Sequence, residues 1–207
     1  QTHYGPLATA SVSVRKGLEE ALKGKGRILY AKGCELVDEN WPDSEISPSK
    51  PTREELRQMN DAVKLARKAD AVIAVLGGGQ RTCGENKSRT SLDLPGHQEL
   101  LLKKLAATGK PVVLVLINGR PLSINWADEH IPAILEAWYP GSHGGTAVAD
   151  VILGDYNPGG KLTVTFPRTV GQIPFNFPCK PNSQVDGGNG VGPQGRQSRV
   201  HGALYDF

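Results

Sequence analysis

Three apolar runs constrain the fold of this chain more than any other feature. Ala71-Val72-Ile73-Ala74-Val75-Leu76 and Pro111-Val112-Val113-Leu114-Val115-Leu116-Ile117 hold no polar side chain, and Pro132-Ala133-Ile134-Leu135-Glu136-Ala137-Trp138 holds one. A strand with one wet face alternates polar and apolar residues, so uninterrupted runs of this length read as strands buried on both faces. The segments between them repeat at helical spacing. Thr52 and Glu55 form a T-x-x-E capping box after Pro51, followed by Leu56, Met59, Val63, Ala66 and Ala69. Leu100, Leu101 and Leu105 with a stop at Gly109 mark a second helix, and Ala147, Val148, Val151 and Ile152 closing at Gly154 mark a third.

Strands separated by helices imply parallel βαβ units with helices on both faces of the sheet, an α/β sandwich. Upstream, Val14, Leu18, Ala21 and Leu22 share a helical face that Gly24 is placed to end, and Arg27–Ala31 reads as a short strand. Asp38–Lys50 reads as a loop, and Lys161–Phe166 alternates like an edge strand. The expected organisation is one α/β domain over residues 1–177. Residues 178–207 then form a Gly/Pro/Asn-rich irregular tail and the start of a final segment of that domain.

Bulk properties narrow the function classes. A net charge of +3, with basic and acidic residues interleaved along the helices, gives no footprint for nucleic acid. No apolar run approaches the roughly 20 residues needed to span a bilayer. The N-terminus, Gln1-Thr2-His3-Tyr4-Gly5, has neither initiator Met nor signal-peptide pattern, so the chain reads as starting within a longer protein. Cys34, Cys83 and Cys179 are too scattered for a disulfide framework, and the histidines lack ligand spacing, so neither metal nor cofactor is expected. His97 and His143 fall at predicted helix starts. Trp126, Trp138 and Tyr139 read as core residues or as sugar-stacking rings.

Ligands of open parallel sheets bind beyond the carboxyl ends of the strands. The loop after the first apolar run, Gly77–Arg89, sets one carboxylate, Glu85, among Arg81, Lys87 and Arg89. Gly79 and Gly84 have phosphate-loop spacing, but Glu85-Asn86 stand where Lys-Ser/Thr is required, and a carboxylate there repels phosphate. A nucleophile elbow is absent as well. Taken alone, Glu85 reads either as a solvated ion-pair partner or as an acid/base on a movable loop.

Longer blocks resolve the matter by resemblance. Gly84-Glu85-Asn86-Lys87-Ser88-Arg89-Thr90-Ser91-Leu92-Asp93-Leu94-Pro95-Gly96-His97-Gln98 resembles the G-E-x-x-x-R-x-x-L-x-L-P-x-x-Q signature of family 3 glycoside hydrolases. Gly109–Pro121, Ala133–Gly141, Gly144–Ala147 and Gly154–Arg168 resemble further blocks of that family in the same order.

The resemblance implies the second, α/β-sandwich domain of a bacterial periplasmic or secreted β-glucosidase or β-xylosidase. A preceding barrel domain would supply the aspartate nucleophile, and Glu85 would act as acid/base in a retaining reaction on an oligosaccharide or β-glycoside. Arg89, Arg81, Asn118 and Arg120 are the expected substrate-binding or rim residues. The family's first strand would precede residue 1, and residues 1–207 alone would hydrolyse nothing. The alternative is a non-catalytic module that binds carbohydrate or docks another domain.

Overall fold

The computed structural model describes residues 10–172. Three parallel strands, β1 (Val72–Gly77), β2 (Val112–Ile117) and β3 (Ala133–Glu136), lie in the order β1-β2-β3. Val72 is in register with Val112, and Leu116 pairs both Leu76 and Glu136. The central strand is the one buried most completely, with Leu114, Val115 and Leu116 all at 0% exposure. This is the burial its unbroken apolar run demands.

Alternate residues of β2 serve two cores. Leu114 and Leu116 point into one with Met59, Leu102 and Leu105, from α2 (Arg53–Ala66) and α3 (Gln98–Ala106). Val115 points into the other, with Val14 and Leu18 of α1 (Val14–Ala21) and Val148 and Ala149 of α5 (Gly144–Leu153). A six-residue helix, α4 (Asn125–His130), leads into β3 and has no counterpart in the sequence reading. The two cores confirm an α/β sandwich with helices on both faces.

Local signals set the helix ends as the sequence foretells. The capping box closes reciprocally: Glu55 N donates to Thr52 Oγ1 at 3.1 Å, and Thr52 N donates to Glu55 Oε2 at 2.8 Å. Gly154 adopts the left-handed conformation (φ 85°) that ends α5. On the second core, the N-terminal turns of α1 and α5 meet backbone to backbone. A Cβ built on Gly17 would lie 2.2 Å from Gly145 O, and Gly145 N donates to Val12 O at 3.0 Å.

Two expected strands are absent from the sheet. Arg27–Ala31 runs without ladder pairing; Ile28 packs on the second core and Ala31 on the first, while Tyr30 stands 58% exposed. Its side chains are shared between layers rather than aligned on one pleat. Lys161–Phe166 also stays irregular, with Leu162 and Val164 at 60% and 44% exposure. It is tied down just beyond its end, where Ser123 Oγ donates to Pro167 O (2.9 Å) and Asn125 Nδ2 donates to Arg168 O (2.9 Å). The third strand is shorter than its apolar run because Trp138 takes a positive φ of 50° and turns the chain. The expected boundary at 177/178, the Gly/Pro/Asn-rich tail and Cys179 lie outside the described residues.

Candidate active site

All three strands run the same way, so their carboxyl ends gather on one edge: Gly77-Gly78-Gly79 at the end of β1, Asn118-Gly119-Arg120 after β2, and Glu136 through Tyr139 at the end of β3. The exit from β1 is fixed by a buried amide. Gln98, 2% exposed, accepts from Gly77 N at 2.7 Å and donates to Gly77 O and Leu36 O, both at 2.8 Å. Its side chain supplies the hydrogen bonds that a further strand would give at that point. Thr82, also buried, closes the next turn through its Oγ1, which accepts from Gly79 N at 2.9 Å.

Beyond Thr82 the chain comes to the surface and doubles back. Lys87 N donates to Gly84 O at 3.1 Å, closing a four-residue corner with Glu85 at its second position and Asn86 at its third. Asn86 has φ 59°, the left-handed value that the third position of a type II corner requires and that Asn tolerates. Glu85 and its neighbours from Gly84 to Ser88 are exposed. The carboxylate is therefore presented to solvent on a tight corner above the carboxyl edge of the sheet.

Each of the other expected site residues has a definite place. Arg89 lies beneath the loop: its side chain is 3% exposed and pairs with Glu45, whose side chain is 6% exposed. Arg89 Nη2 also donates to Asp93 O (2.9 Å), and its guanidinium lies 5.3 Å from the centre of the Trp41 ring. Glu45 accepts further from Thr90 N at 2.9 Å and Thr90 Oγ1 at 3.1 Å. Burial opposes the charge on Glu45, but Thr90 N–H and the Arg89 guanidinium outweigh it and hold the carboxyl below its usual range.

Arg81 is exposed, at a shallow cleft of about 310 Å³ that Trp41, Asn86 and Lys87 also border. Arg120 sends Nη2 to Lys87 O at 2.9 Å, gripping the end of the corner. Asn118 is 1% exposed and donates to the Glu136 carboxylate at 3.3 Å. The amide orientation that satisfies both ends of Asn118 also brings its nitrogen 3.0 Å from Arg120 O. The structure thus brings Glu85, Arg81 and Arg120 around one loop, and sets Arg89 and Asn118 behind it.

Two acids escaped the sequence reading. Glu45 sits in a polar loop, 44 residues from its partner, and nothing local marks it. Glu136 did carry a signal, as the lone acid of an apolar strand. It accepts from Trp138 N at 2.8 Å, satisfying a residue whose left-handed backbone costs on the order of 1–3 kcal/mol. Burial pushes the Glu136 carboxyl above its ordinary value, against the hydrogen bonds from Trp138 and Asn118. Trp138 itself packs against Phe166, ring centres 6.1 Å apart. Tyr139, partly exposed, meets Cys83 over Gly119; its phenol is pushed up to about 12 by burial and by the Cys83 thiol.

Two histidines stand where the sequence put them, at the N-caps of α3 and α5. His97 closes the loop at its far end: Nδ1 lies 3.0 Å from Glu55 Oε1 and Nε2 lies 3.1 Å from Ser49 O. With an acceptor at each nitrogen, the ring is suited to the doubly protonated form. Among the described residues, no group of three or more His, Cys, Asp or Glu side chains is arranged to hold a metal ion, and no helix is long and apolar enough to cross a membrane.

Comparison with known proteins bears on what such an edge is used for. The family model described as "Glycosyl hydrolase family 3 C-terminal domain" matches residues 3–207. A beta-xylosidase of Formosa agariphila is 46% identical over 179 residues, which are 86% of this chain and 23% of that protein. A periplasmic beta-glucosidase of Salmonella typhimurium is 43% identical over 180 residues, 83% of this chain and again 23% of its own length. Among solved structures, a β-glucosidase from Erythrobacter marinus superposes with a TM-score of 0.77 at 33% identity, covering 99% of this chain and 27% of the other. A β-glucosidase from Listeria innocua in complex with isofagomine gives 0.66 at 31% identity, covering 82% and 21%. The chain spans about a quarter of the length of these proteins.

Proposed function

Because the chain belongs to the family of glycosyl hydrolase family 3 C-terminal domains, we propose that it is the acid/base-bearing part of a retaining glycosidase, with Glu85 as the acid/base. The supporting observation is the corner at Gly84–Lys87. It holds an exposed carboxylate over the edge of a parallel sheet where ligands of such sheets bind, on a loop pinned at Arg89 and at Lys87.

In this reading a preceding barrel domain supplies the aspartate that attacks the anomeric carbon. Glu85 protonates the departing glycosidic oxygen, then removes a proton from the water that releases the sugar. The barrel's presence is what shields the carboxyl from solvent. Arg81, exposed at the neighbouring cleft, meets hydroxyls of the substrate. The two relatives named for β-xylose and β-glucose chemistry point to a terminal β-linked xylose or glucose as the sugar cleaved, and the periplasmic one points to a periplasmic or secreted enzyme.

Glu85→Gln in the full-length protein tests the assignment. Turnover of an unactivated β-glycoside should fall about 10²–10⁴-fold, the usual contribution of general acid–base catalysis, and added azide should speed turnover of an activated one by taking the sugar off the enzyme as the glycosyl azide. Unchanged kinetics would mean that the domain binds or docks without taking part in the chemistry.

A further inference from the structure

At the carboxyl edge of the sheet, Glu136 is half-buried yet hydrogen-bonded to neutral donors, Trp138 N–H and the Asn118 amide. A carboxylate in that situation is worth its desolvation only if it fixes something. What it fixes is Asn118, which is too buried to swing (1% exposed) and whose amide reaches Arg120 O at 3.0 Å. Arg120 is thereby held at its backbone, while its guanidinium donates to Lys87 O at 2.9 Å.

Lys87 is the last residue of the corner that carries Glu85. Small rotations there move a carboxyl two residues away by an ångström or so, and such a displacement costs a proton transfer dearly. A guanidinium gripping a main-chain carbonyl is a charge-assisted bond, stronger than the neutral one a polar side chain would make. We infer that Arg120, braced by Asn118 and Glu136, is a positioning residue that sets the Gly84–Lys87 corner and with it the reach of the Glu85 carboxyl. This rests on the acid/base reading of Glu85.

The test uses four forms of the full-length enzyme: wild type, Glu85→Ala, Arg120→Ala and the double variant. Each is assayed for kcat/KM on a phenyl and a 2,4-dinitrophenyl β-glycoside of the sugar the enzyme accepts. The dinitrophenolate leaves without a proton, whereas the phenolate needs one. Arg120→Ala should lose about 10–100-fold on the phenyl substrate, the scale of a misplaced catalytic group, and less than about 3-fold on the activated one. Combined with Glu85→Ala it should add almost nothing, because there is no longer an acid to place.

Equal losses on both substrates, as partial unfolding would give, overturn the assignment, and so does a loss that multiplies with that of Glu85→Ala. The two readings fail separately. Glu85→Ala without leaving-group selectivity removes the acid itself. A selective Glu85→Ala beside an unselective Arg120→Ala removes only the positioning role.

Discussion

Glu45→Ala should loosen the loop that carries Glu85 without unfolding the sheet. The Glu45 carboxylate accepts from Arg89, from Thr90 N and from Thr90 Oγ1, and its own side chain and that of Arg89 are 6% and 3% exposed. Removing it strands a guanidinium that keeps only Asp93 O and the face of Trp41. Breaking a buried pair from one side costs about 3–5 kcal/mol; Thr90 is exposed enough to be rehydrated, so the lower end applies here. At 1.4 kcal/mol per decade, about 3 kcal/mol is a roughly 100-fold rise in the open population of the loop.

Amide exchange in the full-length protein reads that population directly, in peptides covering residues 84–95 and above all at Thr90, whose N–H is bonded to Glu45. Exchange in β2 should be unchanged. Glu45→Leu combined with Arg89→Met should bring the loop to within about 1 kcal/mol of wild type, since apolar pairs commonly replace buried ion pairs at little cost. A rise at Thr90 of less than about 5-fold, or a double variant worse than the single one, would refute the view that this pair holds the loop.

The His97–Glu55 pair gives the far end of the loop a pH window. Burial opposes the imidazolium, but Ser49 O and the Glu55 carboxylate, with Asp38 beyond, outweigh it and hold His97 above its ordinary value. Burial likewise opposes the Glu55 carboxylate, but Thr52 N–H and His97 hold it below its own. The His97 contribution is complete below its unfolded pKa of about 6.5 and fades as pH rises through the raised folded value; that of Glu55 is complete above about 4.3 and fades as pH falls through the lowered one. The difference in Tm between wild type and His97→Gln should therefore be widest between about pH 4.3 and 6.5, and a difference that grows above pH 8 would contradict it. Gly17→Ala should lower Tm by roughly 2–12 °C by driving a methyl into Gly145 O. Gly26→Ala, which meets only the Leu22 side chain at 3.6 Å or more, should be close to neutral by the same scan.

What the sequence made legible were the features whose causes are local. The apolar runs became β1, β2 and β3, while Thr52 and Glu55 start one helix and Gly154 ends another by contacts within a few residues. Arg27–Ala31 and Lys161–Phe166 have acceptable strand composition, but pairing is decided by what lies alongside, and composition does not report that. Residue type marked Glu85 and Arg89 as a candidate pair, yet Arg89 is turned inward to Glu45 across 44 positions of chain. The Glu136–Asn118–Arg120 brace was partly visible, as one acid in an apolar strand and two polar residues after another. Only the register of β2 against β3 joins them.

Arg120 grips the carbonyl of Lys87, which every amino acid possesses, and not its side chain. The corner is thus held at its end by a contact that does not read a side chain, and Lys87 and Ser88 are exposed there. A lineage or a designer can change Lys87 and Ser88, and with them the surface beside Glu85, while the grip on the main chain stays as it is.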